Sequence, residues 1–398
     1  MGNEKKNSSE LTTLWNKGFI MVLLLGILTQ GSSQMVTTLI TSYARDNLGA
    51  ALTFASVLSA TLSISALCCR PFSGVLVDRV NRKNVLLTTS LVTAACMVGY
   101  AVVPSSRSLL ACRILHGIAF AFQGVANLSF GSMFIPDDKM GEGVGYLSIG
   151  AVLAQAVGPS IGISLSRNYS YSMVFMIAAV LSLAGFVLLL LIPYKHVPKP
   201  ADQRKKFSLE TLIEPKVILL AMILMLFSCG NGLMNTYAKL LGEERNIAGI
   251  GLFFTAYSIS TLACRPFVGK LLDKKGLTVI LIPAILLAAS AMVLVGAATA
   301  TWMVVIAGAL KAAGQGSATP SIQGTAIKRL GKDRSGVIGS TCYIGQDIGN
   351  AFAPIIGSYV VKSSGYSTLF NGYAAILCVC GIGLYMLHLK LAKNWGWN

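Results

Sequence analysis

The sequence predicts an all-α membrane protein with twelve transmembrane helices, arranged as two six-helix bundles related by a parallel repeat. Three observations carry this prediction: composition, the number of apolar runs and an internal duplication. Of 398 residues, 54% are hydrophobic and 12% are charged, whereas a soluble domain has about 25% charged residues. Twelve spans of roughly 20 residues need about 240. The chain is therefore long enough for twelve helices joined by mostly short loops.

The apolar runs fall into two sets of six. The first set covers residues 18–42, 51–70, 84–103, 107–133, 143–164 and 172–194. The second set covers residues 216–238, 247–266, 277–299, 302–327, 336–360 and 368–389. Between the sets lies the polar sequence HVPKPADQRKKF. We therefore predict an N-terminal bundle over 1–194, a cytoplasmic linker over 195–215 and a C-terminal bundle over 216–398.

The positive charge is explained by topology. The formal net charge is +17, and most lysines and arginines fall on one side when both termini are placed in the cytoplasm. Cytoplasmic loops retain such charge during insertion. The sequence therefore predicts a multi-pass protein of the cell membrane, in a bacterium the plasma membrane, with the lipid bilayer and not a nucleic acid as its partner.

The sequence offers no sign of catalysis or of a cofactor. All nine cysteines lie in or beside apolar runs, without a Cys-x-x-Cys pair, so neither structural zinc nor a disulfide framework is expected. No Gly-x-x-x-x-Gly-Lys-Ser/Thr loop is present for ATP binding. The loops hold no clustered nucleophile and base. We expect neither an enzyme nor an ATP-driven pump, with no metal and no cofactor.

An internal repeat defines the two halves. Residues 63–78 read SISALCCRPFSGVLVD and residues 258–273 read SISTLACRPFVGKLLD, identical at eleven of sixteen positions. An even number of spans per copy returns the chain to the same side, so the copies are parallel. This arrangement predicts a cavity between the halves.

The segment GVLVDRVNRK over 74–83, which overlaps the end of the first copy, resembles the signature loop of the major facilitator superfamily of secondary transporters. Asn81 replaces a family glycine, and Leu277 and Thr278 replace the basic pair in the second copy. The resemblance implies the major facilitator fold and a gating loop that latches the halves in the outward-facing state. The alternative is that these charges only fix topology. The gating residues are Gly74, Asp78, Arg79, Arg82, Lys83, Gly269, Asp273 and Lys274.

Two further motifs resemble parts of this family. Arg113, in the pattern Arg-x-x-x-Gly, corresponds to an arginine implicated in proton or substrate handling, and it should face the bundle interior because a charge in a span is costly. His116 stands on the same helix face and is either titratable or a neutral packed ring. Gly158, Pro159 and Gly162 resemble the helix-bend motif of the drug:proton antiporter branch, which favours export. A bent helix without bearing on direction is the alternative.

Asp347 is the one acidic residue well inside a predicted span. It is the candidate for proton coupling or for pairing with a substrate cation, and the alternative is a structural ion pair with Lys311 or Arg113. Polar residues on span faces complete the predicted pathway, unless they only join helices by hydrogen bonds. These are Gln30, Gln34, Gln123, Gln155, Asn231, Asn235, Gln315, Gln346 and Asn350.

Together these features predict a proton-coupled secondary transporter that works by alternating access. Export of a small amphipathic molecule by antiport is favoured, and the positive interior favours an anionic, zwitterionic or neutral substrate. One alternative is a proton-coupled uptake symporter for a sugar or organic acid. Another is a membrane receptor or scaffold without transport. We expect a monomer whose partners are its substrate, protons and lipid.

Overall fold

The computed structural model describes residues 13–37, 39–50, 52–102, 105–194, 212–247 and 249–395. Every regular element in these ranges is helical. The helices of the first half are α1 (Lys17–Thr37), α2 (Ile40–Asp46), α3 (Leu52–Arg79), α4 (Arg82–Val102), α5 (Ser106–Ser132), α6 (Met140–Leu147), α7 (Ile149–Asn168) and α8 (Tyr171–Leu191). The helices of the second half are α9 (Ile218–Glu244), α10 (Leu252–Lys275), α11 (Thr278–Gly296), α12 (Thr301–Lys311), α13 (Ser317–Leu330) and α14 (Ser335–Asn394).

These helices account for the twelve predicted spans. In the described ranges, nine helical segments are long and apolar enough to cross a membrane. One of them, Lys332–Asn394, has 63 residues, enough for two spans, and α14 within it is interrupted at Gly365, where φ is 77°. Helix α10 and the α12–α13 pair supply the remaining two spans. The fold class is confirmed.

Several predicted boundaries were wrong. The first span is divided into α1 and α2, and the tenth contains a π-helical turn over Ala312–Gly316. The second span continues past Arg70 to Arg79, and the eighth continues to Lys275. Charged residues end an apolar run but do not end a helix. The glycines and aspartates of the gating motif therefore lie on the last turns of α3 and α10, and Arg82 and Lys83 begin α4.

Local capping explains several helix ends. The Ser105 hydroxyl accepts from the backbone N–H of Ser108 at the start of α5, and Ser170 does the same for Met173 at the start of α8. Such caps satisfy a donor that the helix itself leaves open. Gly331 follows α13 with φ 91°, a positive value that glycine adopts without a Cβ penalty.

The chain divides into two compact units. The first comprises Met1–Asp137, Tyr146–Leu212 and Lys332–Ser340. Inside it, α3 packs on α5, α4 packs on α8, and α1 packs on α7. Aromatic and aliphatic side chains of α2, α3, α4 and α8 form a core cluster of this unit, among them Ile40, Tyr43, Leu58, Tyr100 and Phe175.

The second unit comprises Asp138–Gly145, Ile213–Gly331 and Thr341–Asn398. Helix α12 packs on both α10 and α11. The π-helical turn also packs on α10 and α11.

All nine cysteines of the chain are free thiols.

Candidate functional site

A carboxylate in the first unit caps the start of α14. Asp78 lies on the last turn of α3, and its two oxygens accept from the backbone N–H groups of Gly336 at 2.8 Å and Val337 at 3.0 Å. The first N–H groups of a helix have no partner within it. A carboxylate placed there makes two charge-assisted hydrogen bonds and faces the positive end of the helix dipole.

The surrounding residues fit this contact closely. A Cβ at Gly74 would lie 2.6 Å from the Cβ of Ser340, so only glycine permits the approach of α3 to α14. The guanidinium of Arg82 lies 3.5 Å from Asp78 and also donates to the carbonyl of Lys332 at 3.0 Å. Arg82 therefore links the carboxylate to the turn that precedes α14.

The second unit contains the same arrangement. Asp273, on the last turn of α10, accepts from the backbone N–H groups of Gly141 at 2.9 Å and Glu142 at 3.0 Å. Those residues begin α6. A Cβ at Gly269 would lie 2.5 Å from the Cα of Glu142. Each copy of the repeat thus combines a close-approach glycine with an aspartate that caps a helix. We call the Asp78 and Asp273 contacts the two carboxylate caps.

The other predicted gating residues lie near these caps. Lys83 donates to the carbonyl of Ile192 at 2.7 Å, just after α8 ends. Arg79 and Lys274 are exposed. The sequence indicated the two aspartates and their glycines but not the capped residues, because backbone N–H groups leave no side-chain signature.

Arg113 and His116 form a buried polar cluster in the first unit. Both side chains are 0% exposed. The Nε of Arg113 donates to the carbonyl of Leu58 at 3.1 Å. The ring of His116 has a hydroxyl at each nitrogen, Tyr100 at 3.0 Å and Ser33 at 3.4 Å. Two hydroxyls satisfy a neutral imidazole in either tautomer. The geometry favours the packed neutral ring over the titrating one.

Lys311 is the buried cation of the second unit. Its side chain is 3% exposed, and its Nζ donates to the Oδ1 of Asn231. The ammonium also lies 5.2 Å from the ring centre of Tyr257 and 5.9 Å from that of Phe253, within the range of cation–π attraction. The partners that the structure describes for Lys311 are an amide oxygen and two aromatic faces, not a carboxylate.

The helix changes its winding immediately after Lys311. Residues Ala312–Gly316 form a π-helical turn, a feature found frequently at functional sites. Because π-type hydrogen bonds run from i to i+5, side chains in this turn do not follow the spacing of an α-helical face. Gln315 is buried, and its Oε1 has no hydrogen-bond partner among the described residues.

The remaining predicted polar residues differ in exposure. Gln123 is buried and donates to the hydroxyl of Ser90 at 3.3 Å. The half-buried ones are Gln30, Gln34, Gln346 and Asp347. The exposed ones are Gln155, Asn235 and Asn350.

The predicted helix-bend motif lies on α7 where that helix meets α1. A Cβ at Gly158 would be 3.0 Å from the Cβ of Gln34. A Cβ at Gly162 would collide with the backbone carbonyl of Met35. Both glycines thus permit close helix packing. The side chain of Pro159 lies outside the described residues.

Two buried arginines were missed by the sequence reasoning. Arg70 is 4% exposed and Arg265 is 7% exposed. Arg70 donates to the carbonyl of Ala121 at 3.2 Å, and Arg265 donates to the carbonyl of Gly145 at 2.5 Å. They occupy equivalent positions of the repeat, which was the available signal. Each lies within the last two residues of a predicted span, 51–70 or 247–266, and was given no role there.

A membrane fold of two duplicated six-helix halves, with buried cations and paired carboxylate caps, agrees with the class of secondary transporters. The sequence model of the Major Facilitator Superfamily matches residues 22–250 and 220–396. The chain belongs to this superfamily.

Individual relatives agree with this assignment. The multidrug resistance protein MdtG of Citrobacter koseri is 27% identical over 81% of this chain and 81% of its own length. MdtG of Enterobacter lignolyticus is 29% identical over 79% of this chain and 77% of its own length. The crystal structure of a bacterial homologue of the iron transporter ferroportin, in an outward-facing state, has a TM-score of 0.78 at 14% identity and covers 94% of this chain and 100% of that one. The last likeness concerns the fold alone.

Proposed function

We propose that this protein exports small amphipathic molecules across the membrane in exchange for protons, by alternating access. The observation that carries the proposal is that relatives matched over about four fifths of the chain are named multidrug resistance proteins. The resemblance of Gly158, Pro159 and Gly162 to the antiporter motif favours the same direction. These relatives do not favour the uptake symporter or the receptor.

The buried cations support a substrate that is anionic, zwitterionic or neutral. Arg113 and Lys311 are both almost fully buried, and a charge inside a span is costly unless it has a partner or a function. The ammonium of Lys311 is held by an amide and by aromatic faces, which attract a cation without neutralising it. A substrate carboxylate or polar oxygen would be attracted to this group.

Asp347 is our candidate for proton coupling. It lies half-buried on α14, one residue from Gln346. A carboxylate in such a position accepts a proton from one side of the membrane and releases it to the other when its surroundings change.

The two carboxylate caps are proposed as the gating contacts. Each joins the end of one helix to the start of another through two hydrogen bonds to backbone N–H groups. Water can replace either partner in such a hydrogen bond. The caps can therefore stabilise one conformational state and break when the protein adopts another. The family resemblance implies a contact that holds the outward-facing state. We assign that contact to the Asp78 cap when both of its hydrogen bonds are formed.

The remaining assignments follow from the charge pattern. We propose that both termini and the linker over 195–215 are cytoplasmic, that the bundles extend over 1–194 and 216–398, and that the protein works as a monomer in a bacterial plasma membrane. Residues 195–211 of the linker lie outside the described ranges.

Asp347→Asn tests the coupling role. Purified protein in acid-loaded vesicles is given anionic, neutral and cationic amphiphiles while a pH dye reports proton release. We expect release with wild type and loss of release with Asp347→Asn, which keeps the side-chain shape but cannot ionise. Asp138→Asn is the matched control, because Asp138 is an exposed loop carboxylate, and it should behave as wild type. Unchanged proton release in Asp347→Asn would contradict the role of this residue.

A further inference from the structure

A cavity of about 730 Å³ lies inside the second unit. Its size falls within the range of about 300–1,000 Å³ that small-molecule sites occupy. The ends of α10 and α13, the start of α11 and the last turns of α14 line it, together with Gly141. None of these turns carries the buried cation Lys311. Asp273 and Gly141 of the second carboxylate cap are among its lining residues, so the cavity adjoins that cap.

The charge of this cavity is strongly positive. Four basic residues line it, and Asp273 is the single acidic residue among the lining residues. The carboxylate of Asp273 already accepts two hydrogen bonds from the backbone of Gly141 and Glu142, so it is turned towards the cap. The basic lining residues are Lys328, Arg329, Lys390 and Lys393.

One wall of the cavity is held in place by aromatic contacts. The ring of His388 is buried, stacks on Tyr385 with centroids 6.2 Å apart, and meets Trp395 edge-on at 6.0 Å. The hydroxyl of Tyr385 hydrogen bonds to that of Thr278 at 2.8 Å. This wall joins α11 to α14 and keeps Lys390 and Lys393 on a preformed scaffold.

The cavity also has an apolar side that continues to the protein surface. Met386 lines it and is 59% exposed, and the neighbouring Leu387 is 47% exposed. Apolar side chains exposed on a membrane-spanning helix face the acyl chains of the bilayer. A ligand that fits both sides therefore has an anionic head and an apolar tail.

From this combination we infer that the cavity binds an anionic phospholipid, with its phosphate among the four basic side chains and an acyl chain along Met386. Basic pockets between helices on the cytoplasmic side of a membrane bind such headgroups, and the positive-charge pattern predicts that this end of the second unit is cytoplasmic. A free phosphate shares the charge of the headgroup but leaves the apolar side without a function. The inference does not depend on the transport activity.

Lipid retention measured by native mass spectrometry tests the inference. Purified protein in detergent is titrated with phosphatidylglycerol and, separately, with phosphatidylcholine. We expect wild type to bind phosphatidylglycerol more tightly. The double variant Lys390→Gln with Lys393→Gln should bind it about 30-fold more weakly, since each lysine near an anionic headgroup contributes about a factor of five to six. Phosphatidylcholine binding should not change.

A second pair of lysines provides the matched control. Lys270 and Lys275 lie on α10, are exposed and do not line the cavity, so Lys270→Gln with Lys275→Gln makes the same change of net charge. We expect wild-type binding in this control. We also expect wild-type lipid binding in the double variant Lys390→Arg with Lys393→Arg, which keeps both positive charges. This variant shows whether substitution at these two positions by itself disturbs folding of α14.

Three results would overturn the inference. Equal loss in the control pair would mean that general surface charge attracts the lipid. Loss in the arginine pair with an unchanged melting temperature would mean that charge is not the determinant. Displacement of the lipid by inorganic phosphate at millimolar concentration would assign the cavity to a free phosphate instead.

Discussion

Replacing Asp78 with asparagine should expose the start of α14 to solvent exchange. The backbone N–H groups of Gly336 and Val337 have the carboxylate as their described partner and lie in the first turn, where a helix supplies no acceptor. The Asp78 side chain is 12% exposed, so bulk water screens it little. Loss of a helix cap costs about 0.5–2 kcal/mol. If the cost lies near the upper end of that range, the backbone amide hydrogens of Gly336 and Val337 should exchange about 20- to 30-fold faster than in wild type.

Hydrogen–deuterium exchange resolved to short peptides measures this effect, and the repeat supplies a matched control. Asp273→Asn should accelerate exchange at Gly141 and Glu142 by a similar factor and leave the peptide over 335–340 unchanged. Asp78→Asn should leave the peptide over 140–145 unchanged. If exchange over 335–340 were the same in Asp78→Asn as in wild type, the carboxylate would not be what protects that helix start, and the gating role of the cap would lose its basis.

Three further predictions concern other parts of the molecule. Lys311→Met keeps the length of the side chain and removes its charge. Flux of an anionic amphiphile should therefore fall at least about tenfold, and flux of a neutral amphiphile should fall less. Equal loss of both fluxes would indicate a structural role for Lys311. In Gly117→Val, the added Cβ would lie 2.6 Å from the carbonyl oxygen of Leu62. Thermal unfolding in detergent should therefore show a free energy of unfolding lowered by about 1–3 kcal/mol. The control Gly145→Ala has open space at its Cβ and should unfold at the wild-type temperature. The guanidinium of Arg45 hydrogen bonds to Asp46 and holds the pKa of that carboxyl below its usual value, with the Tyr171 hydroxyl adding to the effect. The stabilisation from this contact is therefore present above the ordinary aspartate pKa and is lost as pH falls through the lowered one. Carboxyl NMR titration should show the pKa rise in Arg45→Gln, and an unchanged titration would contradict the assignment.

Much of the fold could be predicted because the bilayer restricts the possibilities. Backbone groups in lipid must be satisfied internally, so apolar runs of sufficient length become helices, and the duplicated segments around Asp78 and Asp273 indicate a repeated unit. The ends of the helices were less predictable. The apolar runs stop at residues 70 and 266, but the helices continue to Arg79 and Lys275, because charged side chains do not interrupt the backbone hydrogen bonds of a helix.

The site could be predicted only where side chains carry the chemistry. Arg113 and Lys311 were predicted to lie inside the bundles because an ionisable group within an apolar run is costly, and both side chains are buried. The partners of the carboxylate caps could not be identified, since any residue supplies a backbone N–H. The π-helical turn over Ala312–Gly316 was also unpredictable, because it depends on how the glycines there pack against α10 and α11.

The central claim is exchange of substrate for protons, and its most direct test is the direction of the two fluxes in one preparation. Wild-type protein is reconstituted in vesicles with no imposed gradient, and an amphiphile gradient is then applied while internal pH and amphiphile are recorded together. The proposed exporter should move protons opposite to the amphiphile, and an imposed pH gradient should in turn drive the amphiphile. Protons that moved in the same direction as the amphiphile would contradict the account and assign the chain to uptake.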